Sequence, residues 1–283
     1  MLSSGQEQIR IEASGGADAG PFLLPGGRTG CLLIHGFTAT PQEMRFLGER
    51  LWAHGHSVHA VQLAGHGTSP EDLERCTWRD WDASARAGLE RLHRQAPEIV
   101  VVGQSLGALL ALKLAVDSPA PIRGVVLLSP ALVLSRRWLR WMTPVLSLLL
   151  PFLGERRRYV RKPERDVADP GARAVGACYE RVPLRGLPQL FGLQRAVRRV
   201  LPQVQQPVLV IHSRQDHTCP LTNVEMVQRA VRGPVRPVLL DDSYHVVSID
   251  IDKERVAAEV AAFVADRIGM AAPTPGGAQR SDA

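Results

Sequence analysis

Cysteine, lysine and long apolar runs are all scarce in this sequence, and each scarcity excludes something. The four cysteines, Cys31, Cys76, Cys178 and Cys219, lie far apart and form no C-x-x-C pair. That spacing argues against a disulfide framework or a structural zinc site and favours reduced thiols in a cytosol. No stretch offers the roughly 18 apolar residues of a membrane span. The best candidate, Trp141 to Leu153, is interrupted by Pro144 and Pro151. Residues 1–20 lack the basic-then-apolar order of a secretory signal, so a cytoplasmic location is expected. Aromatics make up only 5% of the chain, and no nucleic-acid-binding motif accompanies its net charge of +6. No nucleic-acid partner is expected.

That charge is unevenly placed. Between Arg136 and Arg199, 14 Arg and one Lys face five acids, a net +10, so the remainder of the chain stands at −4. Arg outnumbers Lys 31 to 3 overall, and the arginines of this segment therefore carry little information by themselves. A solvated basic face is the simplest reading, and a weak contact with an anionic lipid surface is the second.

What is present is a buried-sheet pattern. A chain of 283 residues, 45% hydrophobic, is ample for one large core. Short aliphatic runs at Cys31–Ile34, Val58–Leu63, Ile99–Val102, Gly124–Leu128, Val208–His212 and Val235–Leu240 are nearly unalternated, as in strands buried on both faces. Helical patterns at Pro41–Ala53, Trp78–Gln95, Leu106–Val116, Asn223–Val231 and Lys253–Ile268 lie between them. This alternation predicts an α/β fold with a mostly parallel central sheet flanked by helices. It fails between residues 129 and 201, which are expected to form an inserted helical cap on a core of residues 20–128 and 202–270. Residues 1–19 are expected to be a flexible lead, and 271–283 a disordered tail.

The most informative residues are Gly103-Gln104-Ser105-Leu106-Gly107, placed between a predicted strand and a predicted helix. G-x-S-x-G in that context holds a serine on a strained turn, where residues without a Cβ on either side relieve crowding. A serine hydroxyl needs a base to take its proton and a carboxylate to orient that base. Asp216 follows the run Val208–His212, and His245 follows Val235–Leu240, which puts both in loops at the same sheet edge as Ser105. Asp241 and Asp242 lie too close in sequence to His245 to approach its ring from behind; with Asp250, they are the competing acids. Acyl transfer also needs donors for an oxyanion, and the backbone N–H groups of Leu106 and Phe37 hold the appropriate positions. His35, just before Gly36 and Phe37, reads as a structural hydrogen-bonding residue.

The apolar run Trp138, Leu139, Trp141, Met142, Val145, Leu146 and Leu149, flanked by arginines, reads first as a cap helix over the site. Trp138, Trp141 and Leu146, with Gln104 beside the nucleophile, are the candidate substrate contacts.

Several strings extend the pattern: His35-Gly36-Phe37-Thr38 with Pro41, Gly65-His66-Gly67-Thr68 with Pro70, Gln215-Asp216-His217 with Pro220, and Ser243-Tyr244-His245-Val246 followed by Asp250. Together they resemble the bacterial monoacylglycerol lipase and carboxylesterase family of α/β-hydrolases, from about Gly20 to Ile268. The resemblance implies a serine esterase with catalytic Ser105, Asp216 and His245, oxyanion donors Phe37 and Leu106, and no cofactor or metal. It implies monoacylglycerols or short and medium acyl esters as substrates. Two departures stand out: Gln104 is polar where the family usually carries an apolar residue, and the segment 129–201 is unusually basic. The same three side chains would also serve a thioesterase, an acyltransferase or a small-amide hydrolase, and the scaffold alone could serve a non-catalytic ligand receptor.

Overall fold

The computed structural model of the chain describes residues 20–136, 158–161, 164–174 and 178–267. The expected lead and tail, and with them Trp138, Trp141 and Leu146, lie outside the described residues.

Seven strands form the main sheet. They are β1 (Phe22–Leu24), β2 (Thr29–Ile34), β3 (Ser57–Val61), β4 (Glu98–Gln104), β5 (Ile122–Leu128), β8 (Val208–Ser213) and β9 (Val235–Leu240), in spatial order β1-β3-β2-β4-β5-β8-β9. Every pairing is parallel except β1 with β3. The absence of alternation in the apolar runs has a direct cause. Leu32, Ile34, Val101, Val125, Leu127 and Val210 point to one helical layer. Their neighbours Cys31, Leu33, Val100, Val102, Val126 and Ile211 point to the other. With both faces covered, every position of β2 and β8 is buried. At the far edge β9 carries Pro237, whose missing N–H is tolerated on an edge strand.

Helices α1 (Arg45–Ala53) and α7 (Lys253–Arg267) cover one face; α3 (Trp78–His93), α4 (Leu106–Asp117) and α5 (Gly186–Val200) cover the other. A further helix, α6 (Thr222–Ala230), joins β8 to β9. Helix α4 is apolar almost all round and is the most deeply sheltered, lying between the sheet and α5. The short α2 (Pro70–Arg75) starts on Pro70 with Ser69 capping the N–H of Asp72 at 3.1 Å.

The segment expected as a helical cap includes α5, but it also contains a two-stranded antiparallel ribbon, β6 (Tyr159–Arg161) with β7 (Arg181–Pro183). Tyr159 donates to Glu74 at 2.8 Å, and Arg181 lies 3.4 Å from Glu71, so the ribbon is tied to α2. Strands of three residues are too short to leave a periodic signal. The ribbon and the segment 164–174 stand over the C-terminal edge of β2, β4 and β5.

Candidate active site

Three non-glycine residues with positive φ gather at that edge: Thr38 (64°), Ser105 (56°) and Ser129 (45°). They follow three adjacent strands, β2, β4 and β5. Left-handed backbone is costly for residues with a Cβ, and it persists where surrounding structure over-determines it.

Ser105 sits between β4 and α4, held by its N–H to the carbonyl of Leu128 at 2.8 Å. The flanking glycines are required by space as well as by the turn. A Cβ on Gly103 would lie 2.2 Å from the carbonyl carbon of Gly107, and one on Gly107 would lie 2.1 Å from the carbonyl oxygen of Ile34. Strand and helix can meet this closely only without those side chains. The turn therefore presents Ser105 at the start of α4, where backbone N–H groups lack intrahelical partners.

The ring of His245 lies between Ser105 and Asp216. Its Nε2 is 2.9 Å from Ser105 Oγ, and its Nδ1 is 2.7 Å from Asp216 Oδ2. With the Nδ1 proton directed to the carboxylate, Nε2 is left as an acceptor for the serine hydroxyl. The other oxygen of Asp216 accepts the N–H groups of Thr218 at 2.9 Å and Cys219 at 2.7 Å. Burial by itself would lower the basicity of His245. The charge and hydrogen bond of Asp216 outweigh it, with help from Asp166 and Glu43, and its pKa lies above the ordinary 6.5. Burial would raise Asp216, but His245, His212 and the Cys219 N–H hold its carboxyl below the usual range. The carboxylate therefore stays ionised beside a basic imidazole.

The competing acids go elsewhere. Asp241 lies 3.0 Å from Arg214 at the surface, and its neighbour Asp242 is exposed as well. Asp250 is fully buried, and its carboxylate accepts the backbone N–H groups of Ala168, Asp169, Tyr244 and Ile251 at 2.7–3.0 Å. None of those contacts involves the ring of His245.

His35 is buried behind Gly36 and Phe37. Its Nε2 accepts the N–H of Leu63 at 3.2 Å, so Nδ1 donates to the Gly36 carbonyl at 2.9 Å. Burial lowers its pKa to about 4, so the ring is neutral and acts as a brace for the loop. Gly36 brings that loop against Ser105: a Cβ there would be 3.5 Å from the Cβ of Ser105.

Ser105, His245, Phe37 and Leu106 line a cleft of about 650 Å³ whose walls include Leu134, Val160, Val167, Val182, Leu187 and Leu190. Most of the wall is apolar, with the charged Arg136, Arg161, Glu164 and Arg173 also lining it, an arrangement suited to a small ligand. Gln104 also lines the cleft, but its amide nitrogen is committed to the carbonyl of His245 at 3.0 Å. Two further groups at the wall had no sequence signal. Arg165 lies 3.3 Å from Glu43, with both side chains more than nine-tenths buried, and Asp166 reaches His217, the residue after Asp216. Their partners are remote in sequence, so no spacing announces them.

Residues 27–252 match the family described as "Serine aminopeptidase, S33". A thermostable monoacylglycerol lipase of Bacillus sp. (strain H-257) is 32% identical over 252 residues, which are 89% of this chain and 96% of that protein. A carboxylesterase of Bacillus subtilis (strain 168) is 26% identical over 86% of this chain and 95% of its own. Among solved structures, a metagenome-derived lipolytic enzyme superposes with a TM-score of 0.79 at 29% identity, covering 88% of this chain and 98% of that one. The monoacylglycerol lipase of Paleococcus ferrophilus shares the fold with a TM-score of 0.74 at 18% identity, over 87% and 98% of the two chains. The chain belongs to the bacterial monoacylglycerol lipase and carboxylesterase family of α/β-hydrolases.

Proposed function

We propose that the protein hydrolyses carboxylic esters, monoacylglycerols or short and medium acyl esters, through an acyl-enzyme on Ser105. The observation that carries this is the chain of contacts Ser105 Oγ, His245 Nε2 and Nδ1, Asp216 Oδ2, at 2.9 and 2.7 Å, opening on an apolar cleft. His245 takes the hydroxyl proton as Ser105 Oγ bonds to the ester carbonyl carbon. The N–H groups of Phe37 and Leu106 receive the negative oxygen. When the carbon–oxygen bond to the alcohol breaks, His245 returns its proton to the departing alkoxide. Water then repeats the sequence, releasing the acid and restoring Ser105. Asp216 fixes the tautomer and stabilises the imidazolium. The chemistry is complete without a cofactor. Reduced thiols agree with a cytoplasmic enzyme, and all four cysteines are free.

The test is a substrate panel: p-nitrophenyl esters and monoacylglycerols of graded chain length, an acyl thioester, and an amino-acid p-nitroanilide. Ester turnover that disappears in Ser105→Ala, with a serine-directed phosphonate attached at Ser105, supports the reading. Preference for the anilide would instead favour the peptidase activity in the family's description, and preference for the thioester would favour a thioesterase. No turnover and no labelling would leave a ligand receptor.

A further inference from the structure

Asp166 belongs to the segment over the cleft, yet its bonds run to both loops that carry the acid and the base. Its backbone carbonyl accepts the N–H groups of His245 at 3.0 Å and Val246 at 3.2 Å. Its carboxylate accepts from the N–H of His217 at 3.2 Å, from His217 Nδ1 at 2.8 Å and from the Thr218 hydroxyl at 2.8 Å. His217 and Thr218 are the two residues that follow Asp216. A single residue therefore holds the backbone of the base and the loop of the acid at once, from outside the hydrogen-bonded pair they make.

The anchorage of Asp166 is itself fixed. Two and three residues along the chain, Ala168 and Asp169 donate their N–H groups to the buried carboxylate of Asp250 at 2.8–3.0 Å. That carboxylate also holds Tyr244, the neighbour of His245, at 2.7 Å. Between the two stitches, Val167 is buried against Val246 and Ile249 and faces the cleft. Charge-assisted bonds of this number and length make the segment a fixed part of the site.

We propose that Asp166 is a positioning residue for the Asp216–His245 pair, the point at which the segment over the cleft aligns the acid loop with the histidine loop. The proposal rests on the reading of Ser105, His245 and Asp216 as the reacting set. Asp166 touches neither the serine nor the cleft-side nitrogen of His245, so it acts through its neighbours.

The charged and titratable groups around His245 are Asp216 and, behind it, His212; the Cys219 thiol, within 4.8 Å of both Asp216 and His245 and kept protonated by its burial; Asp166 with its partner His217; and Glu43 with its partner Arg165. Asp166 is one of three carboxylates favouring the protonated ring. Losing its charge makes His245 less basic, which moves the acid limb of the rate profile to lower pH. Simple loosening of the fold gives no reason for that movement.

The experiment uses the full-length enzyme and a soluble p-nitrophenyl ester, with kcat, KM, pH profile and thermal midpoint measured for each variant. Asp166→Asn is expected to lower kcat about tenfold with KM within about twofold, and to move the acid limb down in pH. Thr218→Val keeps the charge and removes one bond, so kcat falls about threefold while the limb stays in place. Asp166→Asn that melts like the parent with parental kcat and acid limb overturns the proposal. So does a loss of rate that only follows the unfolded fraction. Should Asp166→Asn fail to fold, Thr218→Val decides, and an unchanged kcat there overturns the proposal. Ser105→Ala separates the two ideas. If it retains activity, the reading of the reacting set has failed. If it is dead while Asp166→Asn is unchanged, only the positioning role has failed.

Discussion

The side-chain amide of Gln104 donates to the backbone carbonyl of His245 at 3.0 Å, linking the residue before Ser105 to the histidine whose ring contacts it. His245 is thereby held at every polar atom: its N–H by Asp166, its carbonyl by Gln104, its ring by Asp216 and Ser105. A polar residue in a buried position of the elbow thus has a local use. The carbonyl oxygen of the Gln104 side chain, in contrast, finds no partner among the described residues.

Gln104→Met should separate stability from rate. It leaves the His245 carbonyl without its donor, a cost of about 1–3 kcal/mol, but it also removes an orphaned buried oxygen of similar cost. Stability should change by no more than about 1 kcal/mol, while kcat falls several-fold because the base has lost a tether. Thermal melts beside steady-state kinetics check this; an unchanged kcat would show the amide to be incidental.

Replacing Ser105, His245 or Asp216 by Ala should each lower kcat by about 10³-fold or more. The double variants should lose little beyond the worse single one, because the three groups act as a unit. An Asp216→Ala enzyme with nearly full activity would mean that another acid supports His245.

The ring of His245 must be neutral to accept the serine proton, and its pKa is raised above 6.5. Activity is therefore absent while the ring is protonated and rises as pH passes through that raised value. Asp216 is held below the usual carboxylate range, so it stays ionised throughout. The profile of kcat/KM on a soluble acetate ester should show a single acid limb centred above 6.5, then a plateau into mildly alkaline pH. A maximum at about pH 4–5 would indicate carboxylate acid–base chemistry instead.

Much of this arrangement was legible in the sequence because its signals are local. Strands β2, β4, β5 and β8 are buried on both faces and appear as apolar runs, while the elbow glycines are forced by contacts between adjacent elements. Ser105 and Asp216 follow two of these strands and His245 follows the half-exposed edge strand β9, so their common edge could be read from order alone. The rest depends on distance along the chain. Asp166 meets His217 across 51 residues, and Gln104 meets His245 across 141. The six residues of α2 and the three-residue strands β1, β6 and β7 are too short for a period to emerge. Asp250 was visible only as an acid near His245, since nothing in sequence distinguishes a carboxylate that caps backbone amides from one that orients a ring.

Two glycines near the serine should respond differently to a methyl group. In Gly107→Ala the Cβ would sit 2.1 Å from the carbonyl oxygen of Ile34 and 2.7 Å from that of His35, and neither backbone atom can withdraw without parting β2 from α4. A loss of about 3 kcal/mol or more is expected. In Gly36→Ala the nearest atom, the Cβ of Ser105, is 3.5 Å away, an ordinary contact, so folding should survive. Thermal melts of the two variants make the comparison. Equal stability would contradict the close approach of strand and helix.

The cleft wall should set acyl-chain preference independently of the reacting groups. Leu187 is half-buried in the first turn of α5 and lines the cleft beside Val182 and Leu190. Leu187→Trp adds bulk to the wall without touching Ser105, His245 or Asp216. A long acyl chain then loses methylene contacts, each worth about 0.8 kcal/mol when buried, whereas an acetyl group has almost none to lose. The ratio of kcat/KM for an octanoate ester to that for an acetate ester should fall at least about tenfold, with the acetate value within about twofold of the parent. Equal losses on both esters would mean that Leu187 supports the fold and does not contact the chain. A fall confined to octanoate would place the acyl group along this wall.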